Sequence, residues 1–516
     1  MFLSLLLAFL FVCTLRALRP SAPFSALPLP PGPRTSWFQR SVTSLYPWIT
    51  YAKWKEIYGD VIYIRLLGNP MLVLNSVQAV NDLLDKRGHI YSSRPVRPMV
   101  VDLIGWDWSF STMAYGDRWK RHRNLFQRHF RQNVPSHYQN LQLKEAHTFL
   151  RALLDDPGSF RYLTRRTALA VVLNLIYGQQ VAERGDEHVD VADAALAGLT
   201  SAGIFGTYLV DYIPVLRHIP AWFPFATFKK NAMRWRELSR KMVERPYDVT
   251  KEMLRKGQAT PCFVAQELEN VVLGLEAEEE ETIKNVAATA YAGGSDTVVS
   301  IVLSFFLAMT CQPGAQKLAQ EEIDRVIGGD RLPTLADRPH LPLIVSSLSS
   351  LIQSLCFELL RWNPVTPLGI AHHLTEDDEY NGYQIPRGTT VIPNVWAIFH
   401  DPEAYPDPMK FKVDRFIAAE NNALAGVNEP PDAIFGFGRR ACPGRFIGMD
   451  FIWIVVASLL ATYNVSKAVD ENGQVIEPEV EYTSILISHP KPFKCRIIPR
   501  SENARMLIEQ TRDMAI

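Results

Sequence analysis

The sequence predicts a mainly α protein with small β-sheets, folded as one large body. Three observations carry that expectation. Residues 281–310 form one long apolar-rich helical stretch, weakened by two glycines in the Ala292–Gly293–Gly294–Ser295 run. Strand patterns are short: Ile62 to Asn75 reads as strand–turn–strand around Gly68–Asn69–Pro70, and others fall at Glu379 to Ile392 and after Tyr482. Between residues 35 and 500 no repeat or low-complexity linker divides the chain. Length alone would suggest about three domains at ~150 residues each, but nothing marks a boundary between them.

The remaining helices follow from spacing and stop signals. Arg118 to Arg131 is a basic helix, Gln316 to Ile327 a charged amphipathic one, and Ile447 to Leu460 an apolar one. Leu351 to Trp362 is a helix stopped by Pro364, because the residue before a proline is pushed out of the α region.

Composition narrows the functional class. Apolar residues make up 47% and charged residues 21%, which excludes a disordered, collagen-like or polytopic membrane chain. The 54 basic and 54 acidic residues balance, which argues against general nucleic-acid affinity. The six cysteines are widely separated, so there is no zinc spacing and no secreted disulfide framework. A reducing compartment is expected for the body. The Asn464–Val465–Ser466 sequon then reads as a chance match in a strand.

The chain starts with an uncharged run, Met1 to Leu15, followed by Arg16 and Arg19. No positive segment precedes the run and no small-residue cleavage site follows it. The expectation is an uncleaved signal anchor over residues 1–19, with the arginines and the body on the cytosolic side. Residues 20–34 form a proline-rich hinge, semi-rigid because polyproline conformation is extended. The body spans 35–500, and a polar tail spans 501–516.

The most informative stretch runs from Phe435 to Gly444, FGFGRRACPG. Three glycines before and after one cysteine, with a proline, make a tight loop with accessible amides. Amides aimed at sulfur, and the start of the following helix, favour thiolate. A lone thiolate in such a loop serves as a nucleophile or as an axial metal ligand. Arg440 can hold a carboxylate of the same bound group. The competing dinucleotide reading of Gly436-x-Gly438-x-x-Ala441 lacks both the acidic residue about 20 positions on and the β-α-β context. A buried structural cysteine is the plainer alternative.

This stretch resembles the haem-thiolate signature of the cytochrome P-450 superfamily, F-x-x-G-x-R-x-C-x-G, met by Phe435, Gly438, Arg440, Cys442 and Gly444. The resemblance spans roughly Pro30 to Pro499, and its details are similar to fungal microsomal members that tailor secondary metabolites. It implies the cytochrome P-450 fold with an N-terminal membrane anchor, and haem b as cofactor with Cys442 as axial thiolate on the iron. It places Phe435 and Gly438 around that thiolate. It makes Arg440, Trp119, Arg123 and His372 propionate contacts. Glu358-x-x-Arg361 with Arg415 then forms a fold-stabilising triad, although Val413–Asp414 stands where Pro-Glu is usual. Gly293–Gly294–Ser295–Asp296–Thr297 matches the oxygen-activating pattern, with Thr297 offering a hydroxyl to dioxygen and Asp296 relaying protons.

One departure from the family concerns spacing. Val345 to Ile352 reads as an insertion, since its deletion leaves LPLIQSLCFELLR. Eight extra residues would add ~12 Å of helix or bulge as a loop.

The resemblance implies a monooxygenase acting on a lipophilic small molecule, a terpenoid before a polyketide or an indole compound. Its partners would be NADPH-cytochrome P-450 reductase, with cytochrome b5 as a second candidate donor, at the endoplasmic reticulum membrane. Lys120 and Arg121 are candidates to meet an acidic donor. Pocket walls are expected from Pro98 to Tyr115, near Ala288, Val365 to Ile370 and Thr483 to Ser488. Two other classes stay open: an O2-independent haem-thiolate isomerase or dehydratase, and a non-catalytic membrane-tethered haem protein.

Overall fold

Helices dominate the chain, as the spacing of its apolar residues predicts. The computed structural model describes residues 25–33, 45–131, 137–224, 226–270, 277–340, 350–417 and 432–513. Among them, twelve helices have eight residues or more. They are α1 (Pro47–Tyr58), α2 (Asp117–Phe130), α3 (His137–Asp155), α4 (Phe160–Tyr177), α5 (Glu187–Gly203), α6 (Thr227–Arg255), α7 (Phe263–Asn270), α8 (Ala277–Cys311), α9 (Pro313–Val326), α10 (Leu351–Trp362), α11 (Arg445–Thr462) and α12 (Glu502–Gln510). The strands are β1 (Val61–Leu66), β2 (Asn69–Leu74), β3 (His372–His373), β4 (Asp378–Tyr380), β5 (Tyr383–Ile385), β6 (Thr390–Pro393), β7 (Tyr463–Lys467) and β8 (Cys495–Pro499).

The largest sheet has the order β1-β2-β6-β3. β1 and β2 are antiparallel, β2 and β6 parallel, and β6 and β3 antiparallel. The first hairpin turns one residue earlier than its sequence suggests. Leu67 and Gly68 both have positive φ, at 48° and 80°, which suits a two-residue turn between twisted strands, while Asn69 and Pro70 already belong to β2. Asn464 lies in β7, where its side-chain carbonyl accepts from Gln320.

Two further expectations change in detail. The second half of the proline-rich hinge lies against the body. Its Pro28 and Pro31 carbonyls accept from the Gln384 and Tyr63 amides. The stretch expected to be a polar tail contains α12, capped by Ser501 and holding Ala504 and Ile508 in the core. Apolar residues four apart give this charged segment one buried face. The expected anchor, residues 1–19, lies outside the described residues.

α8 and α11 are the core. Phe305, Phe306 and Trp453 are wholly buried there with Leu355 of α10. Both helices are long and apolar enough to cross a membrane, but most of each apolar window is covered by protein, which marks them as core helices. α8 stays helical through Gly293 and Gly294, the pair expected to weaken it. Gly294 instead allows close packing on α4, since a Cβ there would lie 2.7 Å from Val172.

α10 begins at Leu351, with Ser350 as its cap, so the expected insertion does not lengthen the helix. Leu351 and Ile352 are buried, and their amides donate to Glu322 of α9 at 3.0 and 3.1 Å. Leu343–Ile344 and Leu351–Ile352 are identical pairs, so removing Leu343 to Ser350 leaves the same sequence as removing Val345 to Ile352. The core positions of Leu351 and Ile352 favour the first description. Residues 341–349 lie outside the described residues.

Glu358 and Arg361 of α10 are fully buried and joined by two bonds, of 2.6 and 2.9 Å. Arg415 adds two more, at 3.0 and 3.1 Å. The spare guanidinium donors bind the carbonyls of Phe399, Pro406, Asp407, Pro408 and Lys410, which clamps the 399–415 segment onto α10. Unpairing a buried charge costs about 3–5 kcal/mol. Glu358→Gln, which leaves two buried guanidiniums without a counter-charge, is therefore expected to lower the melting temperature sharply. A calorimetric comparison with the unsubstituted chain checks this.

Candidate functional site

The loop from Phe435 to Gly444 closes through the Cys442 amide, which donates to the Phe435 carbonyl at 2.6 Å. Two glycines make that closure possible. Gly436 and Gly438 have φ of 84° and 50°, in the left-handed region. Gly438 also passes so near the turn at Leu84 that a Cβ would lie 2.3 Å from the Leu84 carbonyl oxygen. Gly444 then leads into α11, whose N-terminus sits beside the sulfur.

Cys442 is exposed in the polypeptide, yet protein surrounds it on the wider scale. Burial pushes its thiol above the ordinary value. The Gly444 amide and the Arg123 and Arg445 charges pull the other way without reversing it. The Gly444 amide thus favours thiolate, as the sequence suggests, while burial of the sulfur works against it. A metal cation deprotonates a coordinating thiol outright.

A group of cations gathers around this loop. Arg440 is buried, with its guanidinium 4.4 Å above the Trp119 ring. It donates to the carbonyls of Ser92, Phe110 and Met113. Burial and the neighbouring Arg94 and Arg123 push its pKa down to about 8. Arg94 is buried too, bonded to the carbonyls of Ser111, Ile370 and Ala371. His372 of β3 sits between them, with Nδ1 2.9 Å from the Tyr91 carbonyl. A carbonyl only accepts, so Nδ1 carries the hydrogen. Burial, Arg94 and Arg440 hold this imidazole neutral.

Among the described residues, none of Arg94, Arg123 and Arg440 is ion-paired to a carboxylate. Arginine does not give up its proton, so the downward pull on Arg440 reflects the cost of burying its charge, to which Arg94 and Arg123 add. A doubly anionic group between these residues relieves it. The residues present thus fit a haem, with its two propionates and its iron against Cys442.

Of the residues singled out from sequence, Cys442, Phe435, Gly438, Arg440, Trp119, Arg123 and His372 come together around this loop. Thr297 and Asp296 do not share a face of α8. Thr297 Oγ1 donates to the Gly293 carbonyl at 2.8 Å, in line with Thr289 and Gly293 on the more accessible side. Asp296 is buried and turns toward α4, where it meets Arg165 at 3.3 Å and His489 at 3.2 Å.

Sequence reasoning missed Arg94, Arg165 and His489. Only Arg94 carries a local signal, since Ser92–Ser93–Arg94–Pro95 breaks the chain after a short helix. Lys120 and Arg121, expected to face a donor, pair with Asp117 and Glu278 on exposed surface, where such bonds exchange readily.

An apolar cavity includes Phe205, Pro367, Leu368, Ile485 and Leu486 in its wall. This brings together the expected 365–370 and 483–488 segments and adds the end of α5. Gly203 is needed there, because a Cβ would lie 2.4 Å from Leu486. Arg97, also buried, caps α5 by donating to the Ala202 and Gly203 carbonyls.

A mainly α body with a glycine-flanked cysteine beside unneutralised buried cations has the make-up of a haem-thiolate protein. Residues 30–497 match the family described as Cytochrome P450. The chain is 43% identical over 485 residues to cytochrome P450 monooxygenase 208 of Postia placenta, covering 93% of this chain and 92% of that one. A cytochrome P450 monooxygenase of Armillaria gallica is 42% identical over 493 residues, covering 94% of each chain. Another from Coprinopsis cinerea is 38% identical over 493 residues, covering 94% of this chain and 91% of that one. The chain belongs to the cytochrome P450 family and is a haem monooxygenase.

The Gly438 contact gives a direct test. Gly438→Ala is expected to displace the loop from Leu84 and reduce the haem retained per chain. Haem content and the Soret absorbance of the purified variant check this.

Proposed function

We propose that this monooxygenase inserts one atom of O2 into a lipophilic small molecule, with Cys442 as the axial thiolate of haem b. The observation that carries the site assignment is the set of buried cations around the Cys442 loop without a carboxylate partner among the described residues. Arg440, Arg94, Arg123 and His372 would hold the propionates, with the Trp119 ring supporting Arg440. Bound haem supplies reduction of dioxygen and cleavage of its O–O bond.

The chain's own residues position substrate and protons. Thr297 spends its hydroxyl hydrogen on Gly293, which keeps its oxygen lone pairs turned to the cleft as acceptors. Asp296 is the nearest carboxylate along α8 and supplies protons toward Thr297. Phe205, Leu368, Ile485 and Leu486 exclude water and favour an apolar substrate. A terpenoid secondary metabolite is the first choice, ahead of a polyketide or an indole compound. Electrons come from NADPH-cytochrome P-450 reductase. Residues 1–19 anchor the chain in the endoplasmic reticulum membrane, with the body in the cytosol.

Two measurements test this reading. The reduced, CO-bound chain is expected to show the strongly red-shifted Soret band of thiolate-ligated haem, and Cys442→Ser to lose it. A wild-type chain with full haem content and no such band would overturn the Cys442 assignment. With the reductase and NADPH, Thr297→Ala is expected to divert electrons to peroxide and to lower product formation on the order of 10²-fold, the low end for a lost proton-transfer group. Unchanged turnover would favour the O2-independent isomerase class.

A further inference from the structure

Helix α8 presents a second row of polar side chains, four residues apart, that the reading above does not use. Asp296, Ser300 and Ser304 all meet the segment 482–489. Asp296 Oδ1 lies 3.2 Å from His489 Nε2. Ser300 donates to the Ser488 carbonyl at 2.5 Å, and the Tyr482 hydroxyl donates to Ser304 at 3.2 Å. The segment is fixed from within as well. The His489 amide donates to Thr483 Oγ1 at 3.0 Å, and the Thr483 amide donates to the His489 carbonyl at 2.8 Å. Asn363 and the Val365 carbonyl bind Ser488 from the other side. His489 is therefore not a surface side chain that happens to reach a carboxylate. Its backbone is locked in place and its ring is buried.

The charged groups around Asp296 can be named. Arg165 comes from α4, with Arg161 one turn before it. Asp193 comes from α5 and binds Arg165 at 2.7 Å. His489 comes from the 482–489 segment, with Lys491 beyond it paired to Glu481. Burial raises the Asp296 carboxyl, but the His489 bond and charge, then Arg165, outweigh it and leave the group below the ordinary value.

We infer that His489 is a positioning residue for Asp296, clamping its carboxylate with Arg165 so that proton supply to Thr297 is set by the 482–489 segment. Helix geometry already sets Asp296 100° around α8 from Thr297, and the clamp holds its carboxylate on that side. It also ties two functions to one short segment. Ile485 and Leu486 line the apolar cavity, and the Leu486 amide donates to the Thr200 carbonyl of α5 at 3.1 Å. A substrate that presses on these two residues acts on the same backbone that carries His489.

The inference rests on the proposed role of Thr297, and its test separates the two. His489→Leu, His489→Gln, Asp296→Asn and the Leu/Asn double variant are prepared as full-length haem proteins. The reduced CO-bound Soret band confirms that each is folded. Infrared difference spectra over a pH series then follow the protonated carboxyl band that Asp296→Asn removes. His489→Leu is expected to keep that band to higher pH, because a group that lowers the Asp296 pKa has gone. His489→Gln, which retains a donor, should return the titration toward wild type. With reductase and NADPH, His489→Leu should raise peroxide output several-fold, and the change should vanish on the Asp296→Asn background. An identical carboxyl titration in wild type and His489→Leu overturns the inference. So does an equal peroxide effect with or without Asp296. If Thr297→Ala leaves turnover unchanged, the proposed role of Thr297 falls first, and the carboxyl titration still decides the His489–Asp296 contact.

Discussion

Successive residues of an α-helix are 100° apart, and α8 uses that rotation to serve three neighbours at once. Its apolar residues, Phe305 and Phe306 among them, fill the core against α3 and α10. Thr289, Gly293 and Thr297 form an accessible row, and Asp296, Ser300 and Ser304 form a row bound to the 482–489 segment. An unbroken helix is needed for this division. A one-residue shift would move Asp296 out of reach of His489 and bury a different set of side chains. The two glycines, which weaken helices in isolation, survive here because both flanks are locked by packing. Tertiary burial decides the local conformation that propensity left open.

The second constraint is electrostatic. Arg94, Arg123 and Arg440 form a set of like charges beside a neutral His372, with no ion pair to a carboxylate among the described residues. Glu358 with Arg361 and Arg415 shows the contrast. There a buried carboxylate is met by two guanidiniums, and their other donors reach carbonyls of the 399–410 segment. One group is complete within the polypeptide, and the other is left without a counter-charge among the described residues, as the proposed propionate site requires. That difference separates a structural cluster from a binding cluster more clearly than residue type does, since both are rich in arginine.

Much of this was legible in the sequence because short motifs encode local geometry. The Cys442 loop needs left-handed glycines, and the i, i+3 spacing of Glu358 and Arg361 needs only a helix. The helices with strong apolar periodicity match to within a few residues. What escaped was non-local. Arg165 and His489 are separated from Asp296 by long stretches of chain, and neither has a flanking pattern that announces a partner. The Leu67–Gly68 turn was misplaced because a leucine at positive φ has no propensity signal, and Pro70 drew the turn toward itself. An insertion before α10 can be written from either member of a repeated Leu-Ile pair, and only the burial of Leu351 and Ile352 favours one description.

The position of Glu322 explains what fixes the start of α10. A helix start that depended on the preceding sequence would drift when residues were added before it. Here the first two amides of α10 are bound from another helix, and Ser350 supplies the cap. Burial raises the Glu322 carboxyl and those two amides oppose the rise. The register of Glu358 and Arg361 follows from this fixed start, and with it the clamp on the 399–415 segment. The spacing between Pro342 and Leu351 is thereby uncoupled from the geometry of the triad. A chain can lengthen at that point and keep the same arrangement of buried charges beyond it.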